Sequence, residues 1–212
     1  MNNIMEKLGH IGIVPVVVIN NKNKAENLAD SLIKGGLTCA EVTFRTEAAE
    51  ESIRIMAKNF PNMIVGAGTV LSIEQVDRAI GAGAKFIVSP CFNPKVVSYC
   101  LKNDYAVCPG IITPSELDYA REMGLDVVKF FPSEQAGGLK MIKAMSAPFP
   151  MMKFMPTGGI NGVNVKDYLA CDKIVACGGS WMVKSDFIDK DNFVEIEKLT
   201  KEASEIVKEI RG

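Results

Sequence analysis

The stretch KFIVSPCFNPKVVSYCLKNDYAVCPGIITPSELDYAREMGLDVVKFFP, Lys85 to Pro132, alternates short β-rich runs with helical segments. Strands begin near Phe86, Ala106 and Asp126, and the two intervals between them carry helix signals. Asn93-Pro94 sets a capping side chain before a proline suited to the first helical turn; Thr113, Pro114 and Glu116 add the reciprocal bond of a capping box. Gly124 stands where the second helix should stop. Short strands joined through helices build a parallel sheet.

The same unit recurs on both sides, with further strands beginning near Ile13, Cys39, Met63, Lys153 and Ile174. Ser72 with Gln75 reads as another capping box, and Gly35-Gly36 and Gly81 fall where helices stop. A helix around Asn2 to Leu8 and a long one around Asn192 to Ile210 bracket the series, with no linker, charge block or low-complexity tract. Eight evenly spaced units in 212 residues predict an α/β fold of one domain spanning residues 1–212. It should be a compact (β/α)8 TIM barrel with an N-terminal and a C-terminal helix.

Composition narrows the partner. With 24 basic and 25 acidic side chains the chain has no electrostatic footprint for nucleic acid or an anionic membrane, so a small molecule is the expected partner. The apolar run Ile13 to Ile19 is too short to span a bilayer and the N-terminus lacks a signal-like pattern; the expected location is cytoplasmic. None of the six cysteines forms a C-x-x-C pair. Cys39, Cys108 and Cys177 read as small buried hydrophobes, whereas Cys91 lies near a loop. His10 is the only histidine, so no metal site or cofactor is expected.

Barrels of this kind carry their chemistry at the C-terminal ends of the strands. Asn20-Asn21-Lys22, after the first, are ordinary turn residues. In CAEVTFRT the period of two puts Glu41, Thr43 and Arg45 on one face. Either Glu41 and Arg45 form an inward ion pair that orders the mouth, or they act as an acid/base beside an anion clamp. VGAGTV brings Thr69 to the rim, and Ser89-Pro90 stiffens the next strand end. PTGGING and CGGSW, after the last two strands, are glycine-rich loops where such barrels often bind phosphate. In VVKFF, Lys129 shares a face with Val127 and Phe131. It reads either as a salt-bridge partner of Glu41 or as an amine nucleophile, which must be unprotonated and is favoured by apolar surroundings.

EVTFRT (Glu41 to Thr46), VGAGTV (Val65 to Val70), Ser89-Pro90, KFFPSEQAGG (Lys129 to Gly138), PTGGI (Pro156 to Ile160) and GGSW (Gly178 to Trp181) form an ordered set. This set resembles the 2-keto-3-deoxy-6-phosphogluconate (KDPG) aldolase / 4-hydroxy-2-oxoglutarate (KHG) aldolase family. The likeness runs from about Gly12 to Trp181, and KFFP with PTGG and GGSW is its specific part. It implies a metal-free class I aldolase, a homotrimeric barrel of the Entner–Doudoroff pathway, that cleaves the phosphorylated keto acid to pyruvate and D-glyceraldehyde 3-phosphate. Activity on 4-hydroxy-2-oxoglutarate, or on the galactonate epimer, fits the same imine chemistry. By this resemblance Lys129 is the Schiff-base lysine and Glu41 the general acid/base. Arg45 and Thr69 surround the pyruvoyl carboxylate; Thr157, Gly158, Gly159, Gly179 and Ser180 hold the phosphate; Pro90 and Phe131 complete the substrate pocket.

Cys91-Phe92 and Met155 depart from the commoner family pattern, and the helical tail after Trp181 has no specific motif. Two other classes fit the bare residues: a phosphosugar epimerase or isomerase barrel working without a covalent bond, and a silent barrel whose Lys129–Glu41 pair is structural.

Overall fold

The computed structural model describes residues 3–212. Helix α1 (Asn3–Ile11) leads into β1 (Ile13–Val17); α2 (Ala25–Lys34), β2 (Cys39–Thr43), α3 (Ala49–Asn59), β3 (Ile64–Gly68), α4 (Ile73–Gly81), β4 (Phe86–Val88) and α5 (Pro94–Lys102) follow in alternation. The fifth strand comes in two pieces, β5 (Ala106–Cys108) and β6 (Gly110–Ile111), ahead of α6 (Pro114–Glu122). The chain continues through β7 (Val127–Phe130), α7 (Gly138–Ser146), β8 (Lys153–Pro156), α8 (Val165–Leu169), β9 (Cys177–Gly179), α9 (Ser185–Asp189) and α10 (Phe193–Arg211). The anticipated start of the first helix at Asn2 lies outside the described residues.

All strand pairs are parallel, giving an α/β architecture. A curled six-stranded sheet has the order β5-β4-β3-β2-β1-β9, and a second sheet has the order β6-β7-β8. Pro109 separates β5 from β6: it has no N–H for the ladder, yet its carbonyl accepts from Lys129 N at 2.9 Å. At the other margin, bridges Phe154 to Ile174 and Thr157 to Gly178 join the β8 and β9 segments. The last strand proper therefore begins at Cys177, while the anticipated start, Ile174, makes only an isolated bridge.

Side-chain alternation sorts the core into two bodies. Ala40, Val42, Val65, Val128, Phe130 and Phe154 point toward the helices and join Leu28, Ile53 and Ile142 there. Val14, Cys39, Phe86, Val88, Cys108, Val127 and Met155 point the other way, to the inner face of the curled sheet and its neighbour, where Met5 and Leu8 of α1 meet them. Thus α1 plugs the end at which the strands begin. Arg211, at the end of α10, reinforces that plug by donating to the carbonyls of Gly9, Leu169, Ile174 and Val175.

Local punctuation explains the helix starts. Asn93 accepts from the N–H groups of Lys95 and Val96, and Thr113 with Glu116 forms the complete capping box. Ser72 accepts from Gln75 N, but Gln75 Oε1 accepts from Leu71 N, one residue before the place a capping box requires. Gly81 likewise ends α4 without turning the chain; Gly83, at φ +102°, does that. No helix among the described residues is long and apolar enough to cross a membrane.

Candidate active site

Glu41 is wholly buried on β2 and Lys129 is 5% exposed on β7. They are 88 residues apart in sequence, and Lys129 Nζ donates to Glu41 Oε1 at 3.3 Å. The space for this carboxylate comes from β3, where Gly68 lies opposite Thr43; a Cβ at Gly68 would overlap the Glu41 side chain. Glu41 Oε2 is buried without a hydrogen-bond partner among the described residues. Because desolvating two charges costs several kcal/mol per ion, a pair with one oxygen unsatisfied is a poor source of stability. Of the ion pairs open to Glu41, the structure forms the one with Lys129; Arg45 turns instead to Thr69, its Nε donating to Oγ1 at 3.3 Å.

Thr69 has φ +57°, a left-handed conformation rare for a β-branched residue. Its backbone is strained at the point where its hydroxyl meets Arg45; such strain is of order 1–3 kcal/mol and clusters at functional sites.

A cleft of ≈ 490 Å³ is lined by Arg45, Phe131, Thr157, Gly158, Gly159, Gly178, Gly179 and Ser180, while Glu41 and Lys129 are not among its lining residues. Phe131 links cleft to pair, since its ring centroid is 5.2 Å from Lys129 Nζ. Gly158 and Gly159 both have positive φ, which lets PTGG turn sharply. That loop is zipped to the loop after β7 by Ser133 N to Thr157 O, 2.8 Å, and Glu134 N to Gly158 O, 3.1 Å. Tyr168 of α8 braces the second loop by hydrogen bonds to Ser133 and Glu134. Thr157 Oγ1 is buried with no partner among the described residues.

Seven of the residues expected at the substrate therefore share one cleft: Arg45, Phe131, Thr157, Gly158, Gly159, Gly179 and Ser180. Thr69 reaches it through Arg45. Pro90 is not among the lining residues; its backbone presses against Gly110. Sequence reasoning did not anticipate Val16 of β1 and Val18 just after it, nor Val183, Lys184 and Ser185 beyond Trp181. The period of two through Val14, Val16 and Val18 was a usable signal for the first pair. None marked the others.

Four buried thiols are disfavoured as nucleophiles by their environment, while Cys91 is exposed. Burial pushes the Cys108 thiol up to about 12, with Lys129 acting downward and Glu41 upward on it. Burial also raises Cys39 and takes Cys177 to about 12 and Cys100 to about 11. His10 is exposed on α1, its Nδ1 2.9 Å from the Glu6 carbonyl. Among the described residues no group of three or more His, Cys, Asp or Glu side chains is placed to hold a metal ion.

The model of the KDPG and KHG aldolase family matches residues 4–199. The chain is 47% identical over 205 residues to the 2-dehydro-3-deoxy-phosphogluconate aldolase of Haemophilus influenzae, covering 97% of each chain. To the enzyme of that name from Treponema pallidum it is 42% identical over 207 residues, covering 98% of this chain and 99% of the other. Among solved structures it is similar to the KDPG aldolase of Legionella pneumophila with pyruvate captured as a covalent carbinolamine. There the TM-score is 0.90 and the identity 36%, over 93% of this chain and 96% of that one.

Proposed function

The chain belongs to the KDPG and KHG aldolase family, and from that premise we propose that it is a class I aldolase cleaving 2-dehydro-3-deoxy-6-phosphogluconate to pyruvate and D-glyceraldehyde 3-phosphate. The observation that carries this is the buried Lys129–Glu41 pair, 3.3 Å apart, which Phe131 connects to a cleft sized for a small ligand. An amine beside a carboxylate that can take or return its proton is the arrangement covalent carbonyl chemistry needs.

In this reading Lys129 attacks C2 of the keto acid and Glu41 protonates the departing carbinolamine hydroxyl, directly or through water. The resulting protonated imine draws in the electrons of the C3–C4 bond as Glu41 takes the C4 hydroxyl proton, so the aldehyde leaves and an enamine remains. Protonation at C3 and hydrolysis release pyruvate and restore the amine. Arg45, set by Thr69, holds the substrate carboxylate through charge-assisted hydrogen bonds. Thr157, Gly158, Gly159, Gly179 and Ser180 receive the phosphate, while Phe131 walls the keto-acid end, to which the family resemblance alone adds Pro90. Cleavage of 4-hydroxy-2-oxoglutarate to pyruvate and glyoxylate would use the same steps.

The strands are read as a closed (β/α)8 barrel forming one domain; the bridges from β8 to β9 and the continuity of β5 with β6 support the closure. A homotrimer rests on the family likeness, and Leu71, Ile73, Ile112 and Tyr119, large apolar side chains 37–50% exposed after β3 and β6, are offered for its interface. A cytoplasmic place in sugar-acid breakdown, as in the Entner–Doudoroff pathway, accords with this substrate.

The test is intact-protein mass spectrometry after incubation with pyruvate and borohydride, followed by peptide mapping. One reduced pyruvyl adduct on Lys129 is expected. Folded protein that gains no adduct would point instead to a non-covalent barrel or a structural salt bridge.

A further inference from the structure

The charged lining of the cleft is one-sided: Arg45 and Lys184 contribute to it and no Asp or Glu does. The two cations come from opposite sides of β1, for Arg45 follows β2 and Lys184 follows β9, and both strands pair with β1. Val16 and Val18 provide apolar wall between them. Arg45 is engaged by Thr69 at its own side.

Lys184 is differently placed from the lysines around it. Lys24 pairs with Asp191 at 2.9 Å and Lys190 with Asp186 at 3.0 Å, whereas no ion pair engages Lys184 among the described residues. Its ammonium rests 5.6 Å from the centroid of the Phe187 ring, a contact that orients the side chain without neutralising it. An exposed lysine is ordinarily just solvated. This one borders a concave cleft that Ser180, Ser185 and the glycines of both C-terminal loops also line. A cleft with a cation on each side and no carboxylate suits a ligand with a negative charge at each end, and its walls screen those charges less than open solvent does.

We propose that Lys184 is a specificity-determining residue, its ammonium binding the phosphate of the substrate while Arg45 takes the carboxylate. This rests on the aldolase reading and adds a residue to it. Lysine serves phosphate as a mobile point charge on a long stem, so an exposed position at the rim is compatible with the role. A keto acid with no charge at its far end gains nothing from this contact, so Lys184 separates KDPG from its unphosphorylated counterpart.

The experiment compares the unaltered protein, Lys184→Gln and Lys184→Arg on KDPG and on its unphosphorylated counterpart, 2-keto-3-deoxygluconate, with the pyruvate–borohydride adduct measured for each. Loss of one charge-assisted contact should raise the KM for KDPG about tenfold in Lys184→Gln with little change in kcat, lowering the phosphorylated-to-unphosphorylated ratio of kcat/KM by a similar factor. Lys184→Arg should recover most of that ratio, and inorganic phosphate should inhibit Lys184→Gln more weakly than the parent. Equal losses on both substrates, or an unchanged KM for KDPG in protein that forms the adduct normally, would overturn the assignment and leave the aldolase reading standing. Failure of the unaltered protein to form any adduct would remove the aldolase reading and this assignment with it.

Discussion

Where the strands begin, Arg211 donates to four carbonyls, those of Gly9, Leu169, Ile174 and Val175; where they end, Glu41 Oε2 and Thr157 Oγ1 are buried without a partner among the described residues. The same strands supply both ends. Cys39 and Val127 pack into the apolar plug, while Glu41 and Lys129, two residues further along each strand, form the buried pair. One end commits its polar groups to internal contacts, and the other leaves buried polar atoms without them. Stability and chemistry are thus separated along the strand axis rather than between different elements.

The strongest challenge to that division is Lys129→Ala. It should lower retro-aldol turnover on the order of 10⁴-fold or more while leaving a folded protein by circular dichroism, because the covalent route itself is lost. Turnover near the parent level would mean the pair belongs to the scaffold. Next comes Glu41→Gln, expected to cut kcat by roughly 10²–10⁴-fold while Lys129 still forms a reducible imine, more slowly; unimpaired kcat would take the proton transfers away from Glu41.

Arg211→Ala probes the opposite end, where the loss should appear in stability and not in catalysis. Urea unfolding should show a drop of about 2–3 kcal/mol, the scale of lost hydrogen bonds to a charged donor, with kcat/KM preserved. A catalytic defect in folded Arg211→Ala would show that the two ends are coupled.

Glu116 sharpens the comparison with the smallest effect. Burial acts to raise its carboxyl, but hydrogen bonds from Ile112 N and from the Thr113 hydroxyl and N–H outweigh that and hold it below the usual carboxylate range. A group lowered in the folded state adds stability above its unfolded value, ~4.3, and that gain is lost as pH falls through the folded value. Glu116→Gln should therefore cost roughly 0.5–1 kcal/mol at neutral pH, and the difference from the parent should shrink in acid unfolding below about pH 4. A difference that persists undiminished in acid would exclude the charged cap as its source.

Much of this was legible because its causes are local. Asn93 and Thr113 cap helices through residues two or three positions away, and period-two alternation gives the faces of Glu41 and Lys129 directly. The miss at Gly81 is a matter of one turn, for two glycines lie close together and only Gly83 adopts positive φ. The break at Pro109 was available in the sequence as a strand residue lacking an N–H. Lys184 and Ser185 could not be found that way. They reach the cleft because β9 pairs with β1, a contact between segments more than 150 residues apart that no short-range pattern records. The same distance in sequence left the partner of Glu41 open between Arg45, nearby on its own strand, and Lys129 across the interior.

The fit between Gly68 and Glu41 constrains the order in which this molecule can change. A methyl group at position 68 would overlap the carboxylate as it now sits. Gly68→Ala therefore has to move Glu41 away from Lys129, and it becomes tolerable only after position 41 has shortened. Shortening that side chain first would carry the carboxylate away from the amine. Each residue holds the other in place through simple volume, so a single substitution at either position is expected to disturb the pair, and the two positions are expected to change in concert.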